Sequence, residues 1–224
     1  TWLAGPALVG RRFRSGRVFI AGDAAHLFTP TGGLGYNTAV EDAVNLAWKL
    51  ASVLKGQAPL ALLDSYEAER RQVHRGVVDE AVRNLSHSSG SLWREGLEDE
   101  GPAGDAARRE AERAILVSKR QEFDSLGVVL GSRYERSPVL AHEPEGADEP
   151  WDSTRYVQTA RPGCRAPHAW LAPGHGQGAS LFDHFAFRGL TLLATRPAAR
   201  DAAQALAAQA AGAGIPLTVI APPV

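Results

Sequence analysis

The chain has 224 residues, 44% of them apolar, with 24 basic against 25 acidic side chains and a net charge of −1. That length and composition suit one large folded domain or two small ones, and the balanced charge excludes a basic field for nucleic acid or an anionic membrane. No run of about 18 apolar residues is present to span a bilayer, and no charged-then-apolar leader opens the chain. The single cysteine, Cys164, has no internal disulfide partner, which fits a reducing cytoplasm. There is no methionine, even at position 1, so Thr1-Trp2-Leu3 reads as the interior of a longer polypeptide.

In chain order, residues 17–23 form a short apolar run that ends in Gly22-Asp23, which predicts a buried strand running into a turn. A loop rich in Pro, Thr and Gly occupies 29–35. From near Tyr36, Ala39, Ala43, Leu46, Ala47, Leu50 and Leu54 recur at spacings of three and four, predicting a helix with one apolar stripe that Gly56 stops. Pro59 sits where a first helical residue is favoured. Leu63, Tyr66, Val73, Val77, Ala81 and Leu85 share one face of a long second helix, on which Glu67 can pair with Arg71 one turn on. Glu67, Arg70 and Arg71 read as its solvated side. Residues 86–104 are polar and predict a loop, Asp105 caps a third helix reaching about Leu126, and 127–130 predicts a short strand. Residues 143–152 are acidic and Pro-containing, a linker, and the domain boundary falls near Gln158.

The remainder alternates. Strands are predicted at 169–171, 190–195 and 217–220, with a short helix at 180–185 and an Ala-rich one at 200–211, an α/β order. Trp170 and Phe182 are expected in the core of this tail. His168 and His175 lie in a loop without a metal-ligand pattern.

The chemistry is concentrated in Gly22-Asp23-Ala24-Ala25-His26 and Pro30-Thr31-Gly32-Gly33-Leu34-Gly35-Tyr36-Asn37. A carboxylate at a strand's carboxyl end accepts hydrogen bonds from a ligand's hydroxyls. Gly32, Gly33 and Gly35 let backbone approach a flat ligand with no side chain in the way. A helix beginning near Tyr36 presents unpaired N–H groups and the positive end of its dipole. The set suits a ligand with a polyol chain and an electron-rich oxygen, and it is not a Walker loop, because no Gly-Lys-Ser/Thr follows. His26 reads as satisfying a buried backbone group rather than as an acid or base.

The segment GRVFIAGDAAHLFTPTGGLGYNTAVEDAVNLAWKLA resembles the second FAD fingerprint of the p-hydroxybenzoate hydroxylase family, the class A aromatic hydroxylases. The resemblance implies that Gly22-Asp23 holds the flavin ribityl chain, that Pro30 packs by the ring, and that backbone N–H groups at Tyr36 and Asn37 meet the flavin N1–C2=O edge. It extends through LLDSYEAERRQV and LGSRYERSPVL to RPGCRAPHAWL and SLFDHFAFRGLTLL, which look like the thioredoxin-like tail of the phenol and polyketide hydroxylases. The implied fold is α/β. Residues 1–157 are the C-terminal part of an FAD-binding, glutathione-reductase-like Rossmann domain with long helices, and 158–224 an incomplete thioredoxin-like domain. The implied reaction uses NADPH to reduce FAD, and a flavin C4a-hydroperoxide then hydroxylates a phenolic or polyketide ring. The expected partners are a small aromatic substrate, the upstream part of the FAD and substrate sites, and a second copy of the chain. No Gly-x-Gly-x-x-Gly for the ADP half of FAD occurs in these residues. Two other readings stay open: a non-catalytic interaction module, and another Gly-Asp flavoenzyme such as a halogenase or an epoxidase.

Overall fold

The computed structural model describes residues 6–86, 93–141, 143, 150–170, 180–185 and 189–221. They form two compact units, Thr1–Ala47 with Ala61–Arg165, and Trp48–Leu60 with Ala166–Val224.

The first unit opens with two small antiparallel ribbons. Strand β1 (Leu8–Val9) pairs with β4 (His26–Leu27), and β2 (Arg14–Ser15) with β3 (Val18–Phe19). The expected buried strand over 17–23 is therefore only two paired residues, with Val18 exposed, and Gly22–Ala24 is a 3-10 turn. An apolar run of this length pairs only as far as a partner strand reaches, and β2 is two residues long.

Helix α1 spans Leu34–Leu54 and α2 Asp64–Ser86, entered through a 3-10 turn at Leu60–Leu63. Leu34 packs with Val73, Val77 and Ala81 of α2 and with Val128, while Phe13, Ala25 and Tyr66 form a second buried cluster. The face expected on α2 is thus the one buried, and Glu67 pairs with Arg71 at 3.0 Å. The helix expected at α1 is present, but its apolar stripe is only partly buried: Ala39, Leu46 and Leu50 are half-buried, Leu46 against the Phe13 cluster, while Ala43, Ala47 and Leu54 are exposed and the fully buried row is Leu34, Thr38, Asp42, Asn45 and Lys49. Arg70 is also not solvated: its side chain is 1% exposed.

Helix α3 (Pro102–Phe123) starts with Gly101 at the cap position and Pro102 in its first turn, so Asp105 lies inside the helix and bonds Arg108 instead of capping. Residues 126–130 form a short helix, α4 (Leu126–Leu130), in place of the expected strand; Val128 N–H bonds the Ser125 and Ser153 carbonyls. The linker expected at 143–152 lies largely outside the described residues.

In the second unit, β5 (Leu190–Leu193) and β6 (Leu217–Ile220) pair in parallel, with α5 (Arg200–Gly212) as the crossover between them in sequence. A parallel pair needs such a crossover. The strand expected at 169–171 is reduced to one bridge, Trp170 to Ser180, with Leu171 outside the described residues. Ser180 caps a 3-10 turn at Leu181–His184 in a reciprocal box with Asp183. Trp170 is 69% exposed and is not core. His168 contacts the Ser180 hydroxyl at 3.0 Å, and His175 lies outside the described residues.

Candidate functional site

The Gly22-Asp23 turn and the start of α1 are held together by α1 itself. Gly22 has φ of 58°, which favours glycine, and a Cβ there would stand 3.2 Å from Ala39 Cβ. Its N–H donates to Asp42 Oδ2 at 3.0 Å. Asp23, next in the turn, is exposed, as are Pro30, Gly32, Gly33, Tyr36 and Asn37.

The loop before α1 is pinned from several sides. Thr31 Oγ1 donates to the Ala81 carbonyl at 2.9 Å, Gly32 N–H to Glu122 Oε1 at 3.3 Å, and Asn37 Nδ2 to the Gly33 carbonyl at 2.8 Å. Gly32 and Gly33 take φ of 65° and 64° in succession, and around Gly33 a side chain would meet nothing within 4 Å. Leu34 turns its side chain into the core, and Gly35 is half-buried beside Phe28, so both offer a ligand their backbone. Tyr36, 80% exposed, and Asn37 follow, and with α1 beginning at Leu34 the N–H groups as far as Tyr36 lack intrahelical acceptors. An exposed carboxylate, a side-chain-free loop and a helix N-terminus thus open to solvent together, and they fit the polyol and the electron-rich ring edge of a flavin.

Behind this surface lies a buried polar cluster. Asp42, fully buried, accepts four hydrogen bonds. Besides Gly22 N–H, these come from His26 Nε2 at 3.1 Å on Oδ2, and from Arg70 Nε and His74 Nε2, both at 2.7 Å, on Oδ1. Arg70 also reaches the Thr38 carbonyl, Glu41 Oε2 at 2.9 Å and the Tyr134 hydroxyl. Burial pushes the Asp42 carboxyl up, but the bonds from His26, His74 and Arg70 outweigh it and hold the group well below the usual carboxylate range. Burial lowers the His74 imidazole, and the nearby Asp42 carboxylate offsets only part of that. Farther along the same helices, Glu69 accepts from Asn45 Nδ2 and the Ser137 hydroxyl, each at 2.7 Å.

Ligand atoms of His26, Asp42 and His74 lie within 4.8 Å of one another, a spacing that suits a metal ion. The Arg70 guanidinium occupies the same Asp42 oxygen, so a fixed cation stands where a metal would bind, and the cluster is an ion-pair network.

His26 therefore serves a buried carboxylate and not a backbone group. Sequence reasoning missed Asp42, Arg70 and His74. Their signal was a polar row at helical spacing, Thr38, Asp42 and Asn45, which meets Glu69, Arg70 and His74 of the next helix.

A model of the FAD binding domain matches residues 6–81. The chain is 41% identical over 173 residues to the tetracenomycin A2 monooxygenase-dioxygenase of Streptomyces glaucescens, covering 77% of this chain and 26% of that protein. Among solved structures, native and K252c-bound RebC-10x superposes with a TM-score of 0.83 at 37% identity, covering 96% of this chain and 40% of the other. The flavin-dependent monooxygenase PieE, in complex with FAD and substrate, gives 0.77 at 35% identity, covering 96% and 40%. The chain thus spans between about a quarter and two-fifths of the length of these proteins. Residues 6–81 thus match an FAD-binding domain, and over most of its own length the chain is similar to part of flavin-dependent monooxygenases.

Proposed function

We propose that residues 22–37 hold the ribityl and isoalloxazine end of FAD in an enzyme that hydroxylates a phenolic or polyketide ring with NADPH as reductant. The observation that carries this reading is the exposed Asp23 carboxylate on a turn locked to α1, beside the open glycine pair and the N-terminus of that helix. Asp23 accepts hydrogen bonds from the ribityl hydroxyls. Gly32 and Gly33 give the ring access to backbone, and Pro30 lies beside it. The first-turn N–H groups of Tyr36 and Asn37 offset the negative charge that the reduced ring carries at its N1–C2=O edge, by roughly 0.3–2 kcal/mol. When bound, the flavin supplies the redox chemistry, taking electrons from NADPH and activating oxygen for insertion into an aromatic C–H bond. No residue of this stretch is assigned as an acid–base catalyst.

The same reading assigns 1–157 to the Rossmann-type FAD-binding domain with its helical extension and 158–224 to a partial thioredoxin-like domain. The parallel β5–α5–β6 order supports the latter. With one cysteine in the chain, that tail is structural and not redox-active.

The test is Asp23→Ala in the natural polypeptide that carries these residues. A charged acceptor bonded to a neutral hydroxyl contributes about 1.5–3 kcal/mol, so FAD affinity should fall roughly ten- to hundredfold. Normal FAD binding with hydroxylation alone lost would refute the assignment.

A further inference from the structure

The two parts of the candidate flavin site, the Asp23 turn and the first turns of α1, meet at one buried carboxylate. Asp42 Oδ2 accepts the Gly22 N–H, which fixes the residue immediately before Asp23. Asp42 Oδ1 accepts Arg70 Nε, and the same guanidinium bonds the Thr38 carbonyl and Glu41, both on α1. His26 and His74 fill the remaining acceptor positions of Asp42, one on each oxygen. Four donors on one carboxylate leave it no rotamer freedom, and each donor comes from a different place: the turn, β4 and two points on α2. The site's backbone is tightly fitted here as well, since a Cβ on Gly22 would stand 3.2 Å from Ala39 Cβ and its φ of 58° favours glycine.

We propose that Asp42 is a positioning residue for the flavin: without touching it, Asp42 sets Asp23 in register with the N–H groups of Tyr36 and Asn37. This rests on the reading of Asp23 as the ribityl ligand. Of the four bonds on Asp42, the one from Gly22 N–H bears directly on the residue before Asp23. Arg70 supplies the cation that pairs the buried Asp42, and the Gly22 bond ties the turn that carries Asp23 to the same carboxylate.

The inference separates from a purely structural role through a double-mutant cycle on FAD binding, in the natural polypeptide that carries this chain, with flavin fluorescence giving the dissociation constant. Asp42→Asn keeps the shape and one acceptor oxygen. It should weaken FAD about tenfold in the unmodified background and by less than about twofold more in Asp23→Ala, because the residue it positions is then gone. Equal losses in both backgrounds, or none in either, overturn the inference. Unchanged FAD affinity in Asp23→Ala alone overturns the ribityl reading and this inference with it, so the two failures are distinguishable. If Asp42→Asn does not fold, His74→Phe and His74→Gln replace it. Phe fits among Phe13 and Phe28 but gives Asp42 no donor, and Gln restores one. The expected outcome is about threefold weaker FAD with Phe and recovery with Gln. Unchanged affinity in folded His74→Phe overturns the proposal.

Discussion

Arg70 shows how much a single side chain depends on its surroundings. On sequence it shares a run with Glu67 and Arg71 that suits a wet helix face, yet its guanidinium is buried against Asp42, Glu41 and the Thr38 carbonyl. Removing it leaves the fully buried Asp42 carboxylate without its cation. Arg70→Ala should therefore cost about 3–5 kcal/mol, measured by denaturant unfolding. Arg70→Lys should recover little, because a point charge cannot serve those three acceptors in the plane that the guanidinium fork reaches. Acid has a readable effect on the same cluster. His74 is held below its ordinary value of 6.5, so the unfolded chain takes up that proton first and stability falls as pH drops below about 6.5. Asp42 is held below its ordinary 3.8, so a second loss sets in below about pH 4, as the unfolded chain gains a proton that the folded one refuses. Unfolding midpoints between pH 8 and 3 should show both steps, and His74→Gln should remove only the first.

At the scale of elements, long periodic segments were readable and short apolar ones were not. The α2 face of Tyr66, Val73, Val77 and Ala81 was legible because 23 residues carry many turns of one period. On α1 the apolar stripe marks the edge of the buried face, with Leu46 against the Phe13 cluster and Ala43, Ala47 and Leu54 exposed. The helix buries its polar row because Asp42 and Asn45 find Arg70, His74 and Glu69 on α2, and a periodicity argument counts only apolar residues. Residues 127–130 carry no period at all, and packing decides there. Gly127 lies so close to the Asp152 and Arg155 carbonyls that a Cβ would fall 1.7 Å from Asp152 O. Gly127→Ala should thus force the 150–155 backbone away and destabilise by about 1–3 kcal/mol or more, read as a lowered melting temperature. Gly33→Ala meets no such obstacle, but its φ of 64° is strained for alanine, so its cost should be smaller and local.

For the whole molecule, the FAD-binding segment is present, while no pyrophosphate-binding Gly-x-Gly-x-x-Gly occurs among these residues. The 224-residue chain on its own should not retain stoichiometric FAD through gel filtration, and a yellow protein eluting with bound flavin would overturn this expectation. Cys164, partly exposed and with no second thiol anywhere in the chain, should be dispensable. On the proposed function, Cys164→Ser in the natural polypeptide should leave NADPH oxidation and product formation within about twofold, a change of about 0.4 kcal/mol. A hundredfold loss with the fold intact by circular dichroism would make the tail a participant in the reaction cycle.

What the sequence determined by itself is local: the glycine-dense loop, the carboxylate before it, the helix after it, and the strand–helix–strand order over 190–220. Each depends on residues within a few positions of one another, where backbone freedom and hydrophobic period act directly. The flavin fingerprint is legible for the same reason, since Asp23 to Asn37 lie within one contiguous stretch. Only the tertiary structure decided that Asp42, His26, Arg70 and His74 meet, and that α1 turns its polar row inward. Those contacts join residues 16 to 32 positions apart, and a buried charge is tolerated only where distant donors converge on it. No pattern along one helix records whether a second helix will supply them.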